Sequence, residues 1–287
     1  MARWRLLPNH SIPEPPQSLS GGPRESRSLP EGGPGVRHCD QVAGPDAGID
    51  ESAVSAWVIN PYDEFALEEA VQMKEAKKAS GVTVFTLGTK KHEKQMREAL
   101  AKGADAAVRL EDAAFDGSDS LGIARILAAA AKAEGVEMLF FGKQAIDGDN
   151  AQVPAMVAEL LGWPQVLVVD KLEVEGGKAK AWRDAGGGAR EIVETSLPAV
   201  ISTDKGINEP RYSNLRAIMM AKRKKIAVKG AGDLGLDAGQ VGSAGAQVQV
   251  SNWSLPPARP PGRMLDGDVD SQVSQLVSLL RDEAKVL

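Results

Sequence analysis

Apolar residues fall in two alternating rhythms along the middle of the chain. Val82-Thr83-Val84-Phe85-Thr86-Leu87, Asp105-Ala106-Ala107-Val108-Arg109-Leu110 and Met138-Leu139-Phe140-Phe141 are short, nearly continuous apolar runs, and the first and last of them stop at Gly88 and Gly142. Runs of this length, rich in β-branched and aromatic residues, predict strands buried on both faces. Ala56-Trp57-Val58-Ile59 reads as a shorter extended piece. Between the runs the period is helical. Phe65, Leu67, Val71 and Met73 give one apolar face, with Pro61 in the first turn, Asp63 and Glu64 at the positive end of the helix dipole, and Ser80-Gly81 as the stop. A second helix over 91–101 closes at Gly103. A third, capped by Asp119, lines up Leu121, Ile123, Ile126 and Leu127 before Gly135, and a fourth covers 155–161. Alternation of this kind predicts an α/β fold, a mostly parallel sheet with flanking helices and right-handed crossovers.

After Gly162 the rhythm changes. Val166-Leu167-Val168-Val169, Lys171-Leu172-Glu173-Val174, Ala179-Lys180-Ala181-Trp182 and Glu191-Ile192-Val193-Glu194-Thr195 read as short strands, with Gly176-Gly177 and Gly186-Gly187-Gly188 as turns between them, the signature of an antiparallel meander at the sheet edge. Pro198-Ala199-Val200-Ile201-Ser202-Thr203 returns as a buried strand, and Asn208-Glu209-Pro210-Arg211-Tyr212 turns into a helix over 215–222. The run Lys222-Arg223-Lys224-Lys225 reads either as a solvated helix end that suits the dipole or as a docking site for an acidic partner. Beyond Gly230 the chain is Gly/Ala-rich, then proline-rich, then amphipathic over 270–280, with Val273, Leu276, Val277 and Leu280 on one face. Three segments are therefore expected: a disordered stretch over 1–45, rich in Pro and Gly and without apolar period; an α/β domain over 46–229; and a C-terminal arm over 230–287. The arm's terminal helix should pack on another subunit or on the far side of its own domain.

Composition narrows the chemistry. The chain has 287 residues, a net charge of -5, 4% aromatic residues and one cysteine. The charge and the scarcity of aromatic residues speak against nucleic-acid binding. One cysteine and three histidines leave no zinc cluster and no Cys/His nucleophile pair, and no apolar run approaches a membrane span. No metal site and no catalytic set are expected.

The stretch around which the rest is organised is Gly142-Lys143-Gln144-Ala145-Ile146-Asp147-Gly148-Asp149-Asn150-Ala151-Gln152-Val153. A buried strand ends there, a polar loop follows and a helix begins. Helix starts leave backbone N–H groups unpaired and favour anions, so a nucleotide phosphate is one guest; the plainer alternative is a turn capped by Asp149 or Asn150. Leu87-Gly88 and Phe141-Gly142 are both strand ends and could face one crevice. The P-loop and the classical dinucleotide fingerprint are both absent.

With Asn60-Pro61-Tyr62-Asp63-Glu64-Phe65 upstream and Leu197-Pro198-Ala199-Val200, Asn208-Glu209-Pro210-Arg211-Tyr212, Leu215 and Ile218-Met219 downstream, the chain from about residue 48 onward resembles the β subunit of electron-transfer flavoprotein. The resemblance implies an adenine-nucleotide α-hydrolase-like fold and a heterodimer with an α subunit. It implies FAD shared with, and mostly held by, the α subunit, and a structural AMP in the β subunit. Electrons would come from acyl-CoA and related dehydrogenases, as in fatty-acid β-oxidation, and pass to a membrane quinone oxidoreductase. Carried over residue by residue, the AMP site falls on Asn60, Pro61, Tyr62, Asp63 and Leu87, and on Gly142, Gln144, Asp147, Asp149, Asn150, Ala151, Gln152 and Val153 in the loop. The phosphate meets the amides of Ala151, Gln152 and Val153, and Tyr62 neighbours the flavin. Leu215, with Ile218 and Met219, matches the segment that anchors the dehydrogenase; plain helix packing is the alternative for Leu215. The arm would wrap the partner subunit, in the bacterial cytoplasm or in the mitochondrial matrix of a eukaryote. A stand-alone adenine-nucleotide-binding module or hydrolase of similar fold is the alternative reading. Two departures stand out. Nothing in residues 1–45 matches the family's first strand and its Lys-Arg-Val-Pro-Asp-like loop, and Ala151 and Val153 stand where some relatives have Asn and Thr. An ordinary member is favoured over the electron-bifurcating type, which holds a second FAD in place of AMP.

Overall fold

Met138 and Phe140 lie in one apolar cluster with Leu67, Val71 and Met96, while Leu139 and Phe141 lie in another with Ile126, Leu127 and Val157. Successive strand residues face opposite sides of a sheet, so this one buried run sorts the helices into two layers. The structure, a computed structural model, describes residues 2–6, 12–14, 42–44, 48–49, 56–250 and 262–287, and those up to residue 56 by their backbone alone. Its strands and helices are, in order, β1 (Ala2–Leu6), β2 (Ile12–Glu14), β3 (Val42–Gly44), β4 (Gly48–Ile49), β5 (Ala56–Val58), α1 (Pro61–Glu75), β6 (Ala79–Leu87), α2 (Glu93–Lys102), β7 (Ala106–Leu110), α3 (Ser120–Glu134), β8 (Met138–Gly142), α4 (Val153–Leu161), β9 (Gln165–Glu175), β10 (Lys178–Gly186), β11 (Ala189–Ser196), β12 (Ala199–Thr203), α5 (Leu215–Arg223), β13 (Ile226–Lys229), α6 (Gly242–Gly245) and α7 (Val269–Ser278).

The main sheet has nine strands in the order β11-β10-β9-β12-β8-β1-β6-β7-β13. From β9 to β13 in that order every neighbouring pair is parallel; β9, β10 and β11 form the antiparallel edge. The α/β class and the parallel sheet are as the sequence predicts, and so is the edge meander except that the runs 166–169 and 171–174 join into the single strand β9, since Asp170 between them does not interrupt the backbone ladder. The two small sheets pair β2 with β5 and β3 with β4.

One expectation is corrected at the centre of the sheet. The sequence offered no strand before residue 46, yet β1 lies between β6 and β8, with Leu6 opposite both Val84 and Phe140. Two arginines in Ala2-Arg3-Trp4-Arg5-Leu6 interrupt the apolar run that a central parallel strand is expected to show, but pairing runs through the backbone and does not require it. The remainder of the expected disordered segment lies outside the described residues, apart from β2 and β3. A second strand, β13, also went unpredicted and pairs with β7 at the far edge.

Order along the sheet fixes where a ligand belongs. From β1 the order runs to β6 and β7 on one flank and to β8 and β12 on the other, so the topology switches direction between β1 and β8. Open α/β sheets bind ligands beyond the carboxyl ends of the strands at such a point. Pairing of β1 ends at Leu6, whereas β6 continues to Leu87 and β8 to Gly142.

The chain divides into two compact units, Met1–Trp253 and Ser254–Leu287. The arm read from residue 230 is therefore split. Its first part belongs to the sheet unit, where Ala231 N–H donates to Asp112 and the N–H groups of Gln247 and Val248 donate to Asp119 at the start of α3. The second unit holds α7 and a π-helical turn, Leu279–Glu283.

Candidate functional site

The loop after β8 is stapled to the first turn of α1. Gly142 N–H donates to Asp63 Oδ1 at 2.7 Å. Asn60 Nδ2 donates to Asp63 Oδ2 at 3.1 Å and to the Gln144 carbonyl at 2.9 Å, and Asn60 Oδ1 accepts from Ile146 N–H at 3.3 Å. Asn60 occupies the N-cap of α1, but its side chain makes no cap hydrogen bond to the helix; it holds the loop instead. Asn60 and Asp63 are 1% and 0% exposed, and buried polar groups are stable only when so paired. Gly142 is demanded by the close approach: a Cβ there would lie 2.6 Å from the Tyr62 carbonyl carbon and 2.7 Å from the Asp63 nitrogen.

Inside the loop, Asp149 N–H donates to the Ala145 carbonyl, Gln144 Nε2 donates to Asp149 Oδ1 at 2.7 Å, and Asp147 accepts from Gly148 N–H. Asp149 and Ala151 take left-handed backbone angles, with φ of 49° and 51°. The short polar side chain of an aspartate tolerates this, but an alanine is strained. At the start of α4, Gln152 is the N-cap and makes no side-chain cap hydrogen bond. The turn capped by Asp149 or Asn150 is thus not what forms. The first-turn amides of α4 have no intrahelical acceptor, which is the arrangement that favours an anion.

Three residues absent from the sequence-based site, Lys143, Thr203 and Asp204, complete its rim. Lys143 Nζ pairs with Asp204 at 3.0 Å and lies 4.8 Å from the centre of the Tyr62 ring, within cation–π range. Thr203 Oγ1 donates toward the carbonyls of Tyr62 and Phe141, each at 3.2 Å. Burial pushes the Lys143 ammonium down, but its hydrogen bond to Asp204 outweighs this and the group sits above its ordinary value. Lys143 stands within the quoted loop, Thr203 ends the strand next to β8 and Asp204 follows it; parallel strand ends were the signal that would have found them.

The structure therefore brings together Asn60, Tyr62, Asp63, Gly142, Gln144 and Asp149. Pro61 is the exposed first residue of α1, and Asp147, Asn150, Ala151 and Gln152 are exposed along the loop, with Val153 half-buried at the start of α4. Leu87 stands apart from the staple, pairing with Leu110 and packing against the α3–α4 layer.

The second predicted region forms an exposed platform. Tyr212 is 99% and Leu215 78% exposed, and Ile218, Met219 and Met220 are exposed beside them. At 78% exposure Leu215 is not packed into the core, and exposed apolar groups side by side on a short helix are what an interaction surface would present. Arg211 reaches back to α1 and pairs with Glu68 and Glu75. Burial raises the Glu68 carboxyl, but the Arg211 hydrogen bonds outweigh it and hold the group below the usual range. Glu75 is lowered chiefly by its hydrogen bond to Arg211.

Fold and loop together define a doubly wound α/β protein with an uncapped helix start beside its topological switch point. Residues 50–234 match the family model described as the electron transfer flavoprotein domain. The chain is 40% identical over 233 residues to the electron transfer flavoprotein subunit beta of Bacillus subtilis, covering 80% of this chain and 88% of that protein. It is 38% identical over 247 residues to the protein of the same name from Bradyrhizobium diazoefficiens, covering 86% and 93%, and 39% identical over 230 residues to the mouse protein, covering 79% and 86%. The chain belongs to the family of electron transfer flavoprotein β subunits.

Proposed function

We propose that this chain pairs with an α subunit to form an electron carrier that takes electrons from acyl-CoA and related dehydrogenases and passes them to a membrane quinone oxidoreductase. In this reading FAD is shared with, and mostly held by, the α subunit, and AMP occupies the loop after β8 as a structural ligand. The site works in the bacterial cytoplasm or, in a eukaryote, in the mitochondrial matrix. Among the described residues no helix is long and apolar enough to cross a membrane.

The observation that carries the nucleotide part is the uncapped start of α4, placed beyond the β8 strand end by the Asn60–Asp63 staple. An AMP phosphate there would accept from backbone amides of residues 151–153, which needs no particular side chain and so survives Ala151 and Val153. The lack of a side chain on Gly142 keeps the loop against α1. The flavin, when bound, supplies the redox chemistry; the chain's own part is to place Tyr62, with Lys143 over its ring, at the rim, and to offer Leu215, Ile218 and Met219 to the dehydrogenase.

Co-expression with the cognate α subunit tests this. The expected product is a yellow heterodimer that is bleached by an acyl-CoA dehydrogenase with its substrate and that releases AMP on denaturation. A colourless chain that never recruits the α subunit, or one that binds or hydrolyses ATP by itself, would overturn it in favour of a stand-alone nucleotide module.

A further inference from the structure

The exposed platform has a support problem. α5 is nine residues long and buries only Ala221. Helices this short are unstable on their own, and one buried alanine supplies little apolar burial to hold the helix. Ala217 packs in part against the core and α5 lies along α2, and polar ties at both ends add to that hold. At the N-terminal end the Asn214 side chain accepts from Ala217 N–H at 2.8 Å. At the C-terminal end Arg97, on α2, donates to the carbonyls of Ala221, Lys222 and Lys224.

Ahead of the helix, the segment 208–211 is fixed to α1. Arg211 Nε and one terminal nitrogen donate to the two oxygens of Glu68 at 2.8 and 2.9 Å. Both terminal nitrogens donate to Glu75 at 2.6 and 2.9 Å, and Arg211 N–H adds a bond to Glu68 at 3.2 Å. Glu68 and Glu75 are seven residues apart on α1, two turns along one face. Asn208 Nδ2 donates to the Phe65 carbonyl and to Glu69, each at 3.0 Å. Gln72 steadies Glu68 from one turn further along α1. Only a planar guanidinium can serve two carboxylates in this paired fashion. Immediately after Arg211 the chain turns outward, and Tyr212 is almost fully exposed.

We infer that Arg211, forked between Glu68 and Glu75, is the positioning residue of the docking platform: it fixes the segment from Tyr212 to Met220 in the orientation that a dehydrogenase recognises. Arg211 touches no electron donor. It acts by preorganisation, removing the ordering cost that a loose segment would incur on docking. The inference rests on the docking reading of Leu215 given above.

The experiment uses the flavin-loaded heterodimer and compares Arg211→Met, Arg211→Lys and Leu215→Ala with the wild type. Two quantities are read: the KM for the flavoprotein in an acyl-CoA dehydrogenase assay, with kcat alongside, and the hydrogen-exchange rates of the amides of residues 215–221 in the heterodimer alone. Arg211→Met should raise KM about tenfold, as expected for the loss of charge-assisted hydrogen bonds, with kcat and flavin content unchanged, and should speed exchange in α5 by at least about tenfold. Arg211→Lys, which keeps the charge but not the fork, should fall between it and the wild type. Leu215→Ala should raise KM without speeding exchange. If Leu215→Ala raises KM and Arg211→Met leaves both quantities within about twofold of the wild type, the positioning role is overturned while docking stands. If Arg211→Met speeds exchange but neither variant changes KM, the docking reading fails and the positioning role for docking fails with it. Should Arg211→Met prove too unstable to isolate, Glu75→Gln, which alters the more exposed arm of the fork, must reproduce its direction in both quantities, or the inference is wrong.

Discussion

Gly142 has no space for even one methyl group. An ideal Cβ would meet the backbone of Tyr62 and Asp63, which are held in α1 and cannot rotate away as a side-chain tip would. Gly142→Ala must push the first turn of α1 off the β8 end, at a cost of about 1–3 kcal/mol by comparison with other overpacked sites. Urea denaturation should show that loss, and nucleotide content should fall with it; an alanine variant with wild-type stability would mean the approach is looser than described. Val168 carries strain of another kind. It is β-branched, lies within β9 and has a φ of 62°, a region such residues avoid at a cost of about 1–3 kcal/mol. Its N–H donates to Ser202 Oγ at 2.9 Å, and Asp204 N–H donates to the Val169 carbonyl at 2.8 Å. The irregularity thus sets the strand end that carries the partner of Lys143. Glycine adopts the angle freely but costs about 0.5–1 kcal/mol of chain entropy. Val168→Gly should therefore leave stability within about 1 kcal/mol of the wild type, whereas Val169→Gly, at a fully buried position, should cost at least about 2 kcal/mol. Equal losses in denaturant midpoints would remove the case for strain.

At the scale of elements, the fork between α1 and the platform makes a statement about acid. Glu68 and Glu75 are both held below the ordinary glutamate value of 4.5 by Arg211. A carboxylate with a lowered folded-state pKa stabilises fully above its unfolded value and loses that contribution as pH falls through the folded one. Glu69 has the opposite sign: burial raises it, so ionising it costs stability as pH rises through its raised value. Glu69 is present in both wild type and Arg211→Met, so its own burial penalty cancels in their difference, which is left with the fork and its coupling to Glu69 through Glu68. That difference in unfolding free energy should be constant near neutrality and should shrink below about pH 4.5; a difference that stays level down to pH 3 would show that Arg211 does not hold the two carboxylates. None of this was legible in the sequence, because Arg211 is 143 residues from Glu68 and 136 from Glu75. The loop after β8 was legible, since an unbroken apolar run ending in glycine and followed by a helical pattern is a local signal. Asp63 was visible only as an acid suited to a helix start; its bond to Gly142 joins positions 79 residues apart. The strand β1 was hidden by Arg3 and Arg5, and β13 by the lysines on either side of Ile226-Ala227-Val228. In both cases the backbone ladder, which leaves no mark in hydropathy, makes the element.

Across the whole molecule, the two compact units are unlike in how they meet water. The sheet unit encloses its apolar residues in two clusters, one on each face. The unit Ser254–Leu287 encloses none among its described residues: α7 contains no buried residue, and Val269, Val273 and Leu276 are 73%, 54% and 47% exposed. The helix itself is well made. Asp268 caps it by accepting from Ser271 N–H at 2.8 Å, and Gln272 and Gln275 tie it to the carbonyls of Gly267 and Asp266. Local bonds thus determine that a helix forms, and nothing described within its own unit covers its apolar face. Isolated exposed valines need no explanation, but a spaced row of them along one helix is the usual form of a face that packs on a partner. A β subunit implies an α subunit, and we propose that this face packs on it. Val273→Asp together with Leu276→Asp should then abolish co-purification with the α subunit, each charge being placed in an otherwise apolar contact. The helix itself should still form, because the cap and side-chain ties of α7 involve neither Val273 nor Leu276. A doubly substituted chain that still forms the yellow heterodimer at the wild-type yield would move the α-subunit interface off this helix and onto the sheet unit.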